Sequence, residues 1–192
     1  MLGDAPMNAL LAVSNAIRAL LERVAEWSGW LLVVLMTVTC VDVTCRKFGI
    51  PIPYTMFQEM EWHLHTAIFA MWMGYNYTIN AHPRVDSYTE ALPFRKRAWI
   101  ELAGILLFAL PYTVVIIYYG WDFVKTAYVF NERSDSAIGL SYRWIIKGVL
   151  YVGVWLVLLG VVSVLLRLIA YLFGKRTPEQ AGLQIGHSVS EV

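Results

Sequence analysis

Gln58-Glu-Met-Glu-Trp-His-Leu-His-Thr-Ala-Ile-Phe-Ala-Met-Trp-Met-Gly-Tyr-Asn-Tyr-Thr-Ile-Asn-Ala-His-Pro-Arg-Val-Asp86 decides the class of this chain. Acidic and histidine side chains open the stretch, and His82, Arg84 and Asp86 close it. Between His65 and His82 the only ionisable side chains are two tyrosines. A helix crosses hydrocarbon with about 17 to 25 predominantly apolar residues at 1.5 Å each, and this run meets that need. A soluble core helix would keep a polar stripe, and none is visible here. The stretch therefore reads as a membrane crossing with a polar group at each mouth.

Composition agrees. Hydrophobic residues make up 58% of the 192 and charged residues 15%, with a mean hydropathy of +0.56, against roughly 25% charged in a soluble domain. The length holds four short-looped helices and leaves no room for a separate catalytic domain. The net charge of +1 carries no information about an acidic partner, and no nucleic-acid partner is expected. Cys40 and Cys45 are the only cysteines. On one helix they point about 140° apart, so they read as packing residues rather than as a disulfide or redox pair. No basic stretch precedes the first apolar run, so the N-terminus is not expected to be a cleaved signal.

Residues 1–26 form an amphipathic segment, with Leu10, Val13, Ile17, Leu20, Leu21 and Val24 on one face. Ser14, Asn15, Arg18, Glu22 and Arg23 lie on the opposite face, as in a helix resting in the membrane interface or leading into the first crossing. Residues 27–173 hold four apolar runs, Trp27 to Cys45, Trp62 to Ala81, Leu102 to Trp121 and Gly148 to Leu166. The expected fold is thus an all-α integral membrane protein of four transmembrane helices. Pro111, midway along the third run, should remove one backbone hydrogen bond and bend that helix. Arg18 and Arg23, the set Arg84, Arg95, Lys96 and Arg97, and the pair Lys175 and Arg176 outweigh the basic residues of the first and third loops. That excess places both termini in the cytoplasm. Residues 174–192 are polar and rich in turn formers, and read as a flexible tail.

On that topology Asp42 and Arg46, Glu59 and Glu61, and Arg143 and Lys147 all lie at the outer side. Ionisable groups near membrane depth are costly unless paired, so the expected arrangement has Asp42 holding Arg46 and Glu61 facing Arg143 or Lys147. Three roles remain open for them: a structural clamp, an ion or proton pathway, or contact with a partner protein. Glu61 and His65, four apart, are expected to share a hydrogen bond. The helices other than the second contain no histidine, so His63, His65 and His82 cannot form a bis-histidine haem site across the bundle. His63 and His65 lie about 200° apart and cannot face one zinc ion. Ala70 and Gly74, with Gly153 and Gly160, are spaced as close-packing stripes.

The order of these features resembles the small membrane subunit, of DctQ type, of the tripartite ATP-independent periplasmic (TRAP) transporters. The resemblance rests on Arg46, Glu61, Gly74, His82-Pro83-Arg84-Val85-Asp86 and Leu92-Pro93, and covers about residues 27 to 173. Trp99-Ile100-Glu101-Leu102 with Gly104, Glu132 with Ser134, and Gly139-Leu140 with Arg143-Trp144 and Lys147 look like a longer branch, associated with organic-acid systems. Met60 separates two glutamates that are often adjacent in the family. The resemblance implies a non-enzymatic scaffold subunit in a bacterial inner membrane. Its partners would be the lipid bilayer, a large membrane transport subunit carrying the sodium and substrate sites, and a periplasmic substrate-binding protein. No cofactor is expected in this chain. The alternative is a membrane anchor subunit of a respiratory or redox enzyme.

Overall fold

The computed structural model describes residues 4–81, 89, 91–174 and 176–185. Among them every regular element is helical. The helices are α1 (Asp4–Gly29), α2 (Leu31–Lys47), α3 (Tyr54–Thr78), α4 (Phe94–Gly104), α5 (Leu110–Val129) and α6 (Trp144–Phe173), with a π-helical turn, Ile105–Ala109, between α4 and α5. The chain forms two compact units. A terminal unit holds Met1–Leu21, Gly74–Val114 and Leu156–Val192, and a central unit holds Glu22–Met73 and Val115–Trp155.

Three helical stretches among the described residues are long and apolar enough to cross a membrane: Ala5–Lys47, Phe94–Val129 and Trp144–Phe173. They contain the first, third and fourth apolar runs. The second run falls in α3, which at 25 residues is long enough but is not among the three. Its histidines, tyrosines and Asn76 leave only Thr66 to Met73 as an unbroken apolar core.

The amphipathic segment is not separate from the first crossing. Only Trp30 interrupts the helix between α1 and α2, so Ala5–Lys47 runs for 43 residues, about twice what a bilayer core needs. Its buried face also differs from the expected one. In the terminal unit the buried positions are Met7, Ser14 and Leu21, whereas Val13 and Leu20 are half-exposed. In the central unit Ala25, Ser28, Leu35 and Asp42 are buried. Positions 7, 14, 21, 28, 35 and 42 repeat every seven residues, the period of a helix laid along a neighbour. Apolar side chains can face lipid at no cost, which leaves Ser14 free to turn inward, where the Ser163 and Arg167 side chains meet it.

Pro111 takes effect as a change of helical pitch. Its ring would clash with the carbonyl four residues earlier, and the π turn directly before it widens the backbone there. Thr113 returns one hydrogen bond, its Oγ1 donating to the Ala109 carbonyl at 2.6 Å.

The core of the terminal unit joins Ala98, Leu102 and Ile105 to Val161, Leu168 and Leu172 of α6, and to Ala181, Leu183 and Ile185. The last three belong to the segment expected to be flexible. Residues 178–182 form turns, with Leu183 N donating to the Pro178 carbonyl at 3.0 Å. Polar composition hid three apolar side chains spaced two apart, and burying them offsets the entropy of ordering the segment.

Small residues set the approach of α3 to α6. In the central unit a Cβ on Gly153 would lie 2.6 Å from the Ala70 Cβ. In the terminal unit a Cβ on Gly160 would lie 2.5 Å from the Gly74 carbonyl oxygen, and one on Gly74 would lie 2.6 Å from the Leu156 carbonyl carbon. The obstacles at Gly74 and Gly160 are backbone, which cannot swing aside.

Candidate functional site: two polar clusters

The central unit gathers its charges around Glu59. Gly139 and Leu140 bring the loop after α5 back onto the start of α3, where the Leu140 N–H donates to Glu59 Oε2 at 2.5 Å and the Ser134 hydroxyl donates to Oε1. Arg143 Nη2 stands 3.6 Å from the same oxygen. A Cβ at Gly139 would lie 2.8 Å from Glu59 Oε1, so this approach requires glycine. The loop is held by Ser134 N donating to the Leu140 carbonyl at 3.1 Å and Arg143 N to the Glu132 carbonyl at 3.0 Å. It also places Asn131 at φ 46° and Tyr142 at φ 64°, a left-handed conformation that asparagine tolerates and a bulky residue adopts only under restraint.

Glu59 lies three residues ahead of the apolar run that begins at Trp62. The Ser134 hydroxyl holds its carboxyl below the usual glutamate range against the opposing pull of burial, with Leu140 N–H and the Arg143 charge acting in the same direction as Ser134. Glu59 is 7% exposed, so this is a capped anion rather than an open binding group.

Two further pairs stand in the same unit. Lys147 Nζ meets Glu132 Oε2 at 2.5 Å and sits 4.0 Å from the centre of the Phe123 ring. Arg46 Nε and Nη2 grip Asp42 at 2.9 and 3.2 Å, as expected for a pair one helical turn apart. Its guanidinium also lies 5.0 Å from the centre of the Tyr54 ring. With the Gln58 carboxamide turned so that its oxygen faces Arg46, that oxygen accepts at 2.8 Å.

The expected Glu61 partnership is not formed. Arg143 pairs with Glu59 and Lys147 with Glu132, while Glu61 Oε1 is buried with no hydrogen bond among the described residues. Residues two apart on a helix point about 200° apart, so only one of the two glutamates can face the loop. His65 Nδ1 meets the Glu61 backbone carbonyl at 3.1 Å, not its carboxylate. Residues 132, 134, 139, 140, 143 and 147, read in sequence as separate short motifs, come together here as one construction.

The terminal unit gathers around a cation that sequence reading passed over as a flank of the fourth run. Arg167 of α6 is 5% exposed. Its Nε donates to Ser14 Oγ at 2.8 Å, Nη2 to Asn15 Oδ1 at 2.8 Å and Nη1 to the Gly182 carbonyl at 2.7 Å. Ser14 and Ser163 hydroxyls meet at 2.8 Å. Arg97 Nη1 donates to the Ile185 carbonyl at 3.2 Å. No carboxylate forms an ion pair with Arg167 among the described residues. Six residues without charge, Leu168 to Phe173, follow it, and that position alone marked it as an arginine within membrane depth. His82, Arg84 and Asp86, the expected knot at the end of the second run, lie outside the described residues.

Compared with known families, residues 35–170 match the model described as "Tripartite ATP-independent periplasmic transporters, DctQ component". No curated protein matches the chain, and no solved structure does.

Proposed function

This chain belongs to the DctQ component family of the tripartite ATP-independent periplasmic transporters, and we propose that its part in such a transporter is to scaffold the large transport subunit. As the small membrane subunit, it is a multi-pass inner-membrane protein. The observation that carries the scaffold reading is the internal use of charge. Glu59, Asp42 and Arg167 are buried on partners within the chain, while the exposed side chains midway along α2 and α5, such as Val33, Met36, Val114 and Tyr118, are apolar or aromatic. The exposed charges Arg46, Lys47, Asp122 and Lys125 lie toward the C-terminal ends of those helices. A route for an organic anion needs open polar or cationic groups near mid-membrane, and a carboxylate capped from three sides offers none.

In the proposed arrangement α3 is a fourth crossing and both termini are cytoplasmic. The large subunit carries the sodium and substrate sites for an organic acid anion, and a periplasmic binding protein delivers it. His82, Arg84 and Asp86 tie the turn after α3 to a neighbour, and Asp86→Ala lowers the yield of the complex. The test is to purify an affinity-tagged chain from cells producing all three components, and to measure uptake with and without it. The expected result is recovery of the large subunit and uptake that depends on this chain. Undiminished uptake in its absence overturns the reading, and labelling of a cysteine at position 95 from the periplasm overturns the topology.

A further inference from the structure

The π turn and the first turn of α5 border a groove of about 610 Å³ in the terminal unit, lined by Tyr77, Gly104, Leu107, Phe108, Pro111 and Tyr112. Tyr112 is 69% exposed. The apolar run that contains it is bounded by Glu101 and Asp122, which puts Tyr112 about 15 Å from either end at 1.5 Å per residue. A tyrosine near a membrane surface turns its hydroxyl to the headgroups, but its ring is too short to reach them from mid-span. No hydrogen bond engages this hydroxyl among the described residues. The backbone beside it is short of a donor as well. Pro111 has no N–H to give the carbonyl of Leu107 in an α register or that of Leu106 in the π register, and Leu106 and Leu107 are both exposed. Hydrocarbon satisfies neither a phenol nor a bare carbonyl, so lipid is a poor cover for this face.

Resting on the scaffold reading above, we propose that this face docks a transmembrane helix of the large transport subunit, which brings side-chain hydrogen-bonding groups to mid-depth for the Tyr112 hydroxyl and the carbonyl released by Pro111. Gly104 on the same face lets a second backbone approach, since a Cβ there would meet nothing within 4 Å. Leu107 and Phe108 supply apolar contact around the polar centre, the usual order of a membrane helix interface.

The test places a photo-crosslinking amino acid, p-benzoylphenylalanine, at position 112 of the full chain, produced in membranes together with the other two components. Illumination is expected to give one adduct whose peptides, by mass spectrometry, come from a membrane helix of the large subunit. The uncrosslinked variant Tyr112→Phe, which removes one oxygen and keeps the ring, is expected to weaken recovery of that subunit by about two- to tenfold, the range one net hydrogen bond commands. An adduct only with a second copy of this chain, only with lipid, or none at all overturns the proposal. If the wild-type complex is recovered while position 112 fails to crosslink, the docking face falls and the scaffold reading stands. If no complex is recovered, the scaffold reading itself falls.

Discussion

The two polar clusters solve the same problem in opposite ways. Around Glu59 an anion meets a hydroxyl, a backbone N–H and an arginine, and the parts come from a helix start and a long loop. Around Arg167 of α6 a cation meets, among the described residues, only neutral oxygens, from Ser14, Asn15 and Gly182, contributed by α1 and the C-terminal segment. The first cluster depends on opposite charge, and removing one side strands the other. The second depends on the number and aim of hydrogen bonds, and removing the cation also removes its desolvation cost. Burial alone therefore does not rank these residues by importance.

The largest expected effect separates the two modes. Glu59→Ala should cost roughly 3 to 5 kcal/mol of stability, because it removes the acceptor of Ser134 and the Leu140 N–H and leaves the largely buried Arg143 with only the exposed Asp135, 3.9 Å away, among the described residues. Denaturant or thermal melts of the purified protein read it. A double-mutant cycle of Glu59→Ala with Arg143→Met should be strongly non-additive, and additive losses would mean that the two do not interact. The same carboxylate sets a pH dependence. Its folded-state pKa is lowered, so its contribution is present above the ordinary glutamate value of about 4.3 and is lost as pH falls through the folded value beneath it. In Glu59→Gln that acid-side loss should disappear relative to wild type.

Arg167→Met should cost less, about 1 to 3 kcal/mol, since three hydrogen bonds to neutral groups are lost while a buried charge is relieved. A loss equal to that of Glu59→Ala would break the comparison and point to a counter-charge. Lys147→Met tests a half-exposed pair and should cost at most about 1 kcal/mol, shrinking further in high salt. The smallest loss is expected at Glu61→Gln, at most about 0.5 kcal/mol, since its carboxylate closes no ion pair within the described structure and losing its charge relieves a buried, unpartnered oxygen. A large loss there would restore Glu61 to the place that Glu59 holds.

Sequence spacing was informative wherever a property is local. The Asp42 and Arg46 pair is one helical turn long and was legible as such. The small residues 70, 74, 153 and 160 were legible because close approach in lipid selects for the absence of side chains. The orientation of α1 was not legible. Its apolar face could have served lipid or core equally, and the outcome turned on Ser163 and Arg167, some 150 residues away. Arg167 itself was visible as a charge followed by an uncharged stretch, and only its neutral partners were unforeseeable.

By itself the sequence determined that this chain is helical, apolar enough for a membrane, and patterned as a DctQ component, because helical period, hydropathy and short motif spacing are properties of contiguous residues. Tertiary structure decided which of two glutamates is capped, since a loop from Ser134 to Arg143 must fold back through a glycine to reach one helix face and not the other. It also decided that Ala181, Leu183 and Ile185 are core rather than loose tail. Their burial depends on an apolar surface made by α4 and α6, and no reading of ten polar-flanked residues contains that surface.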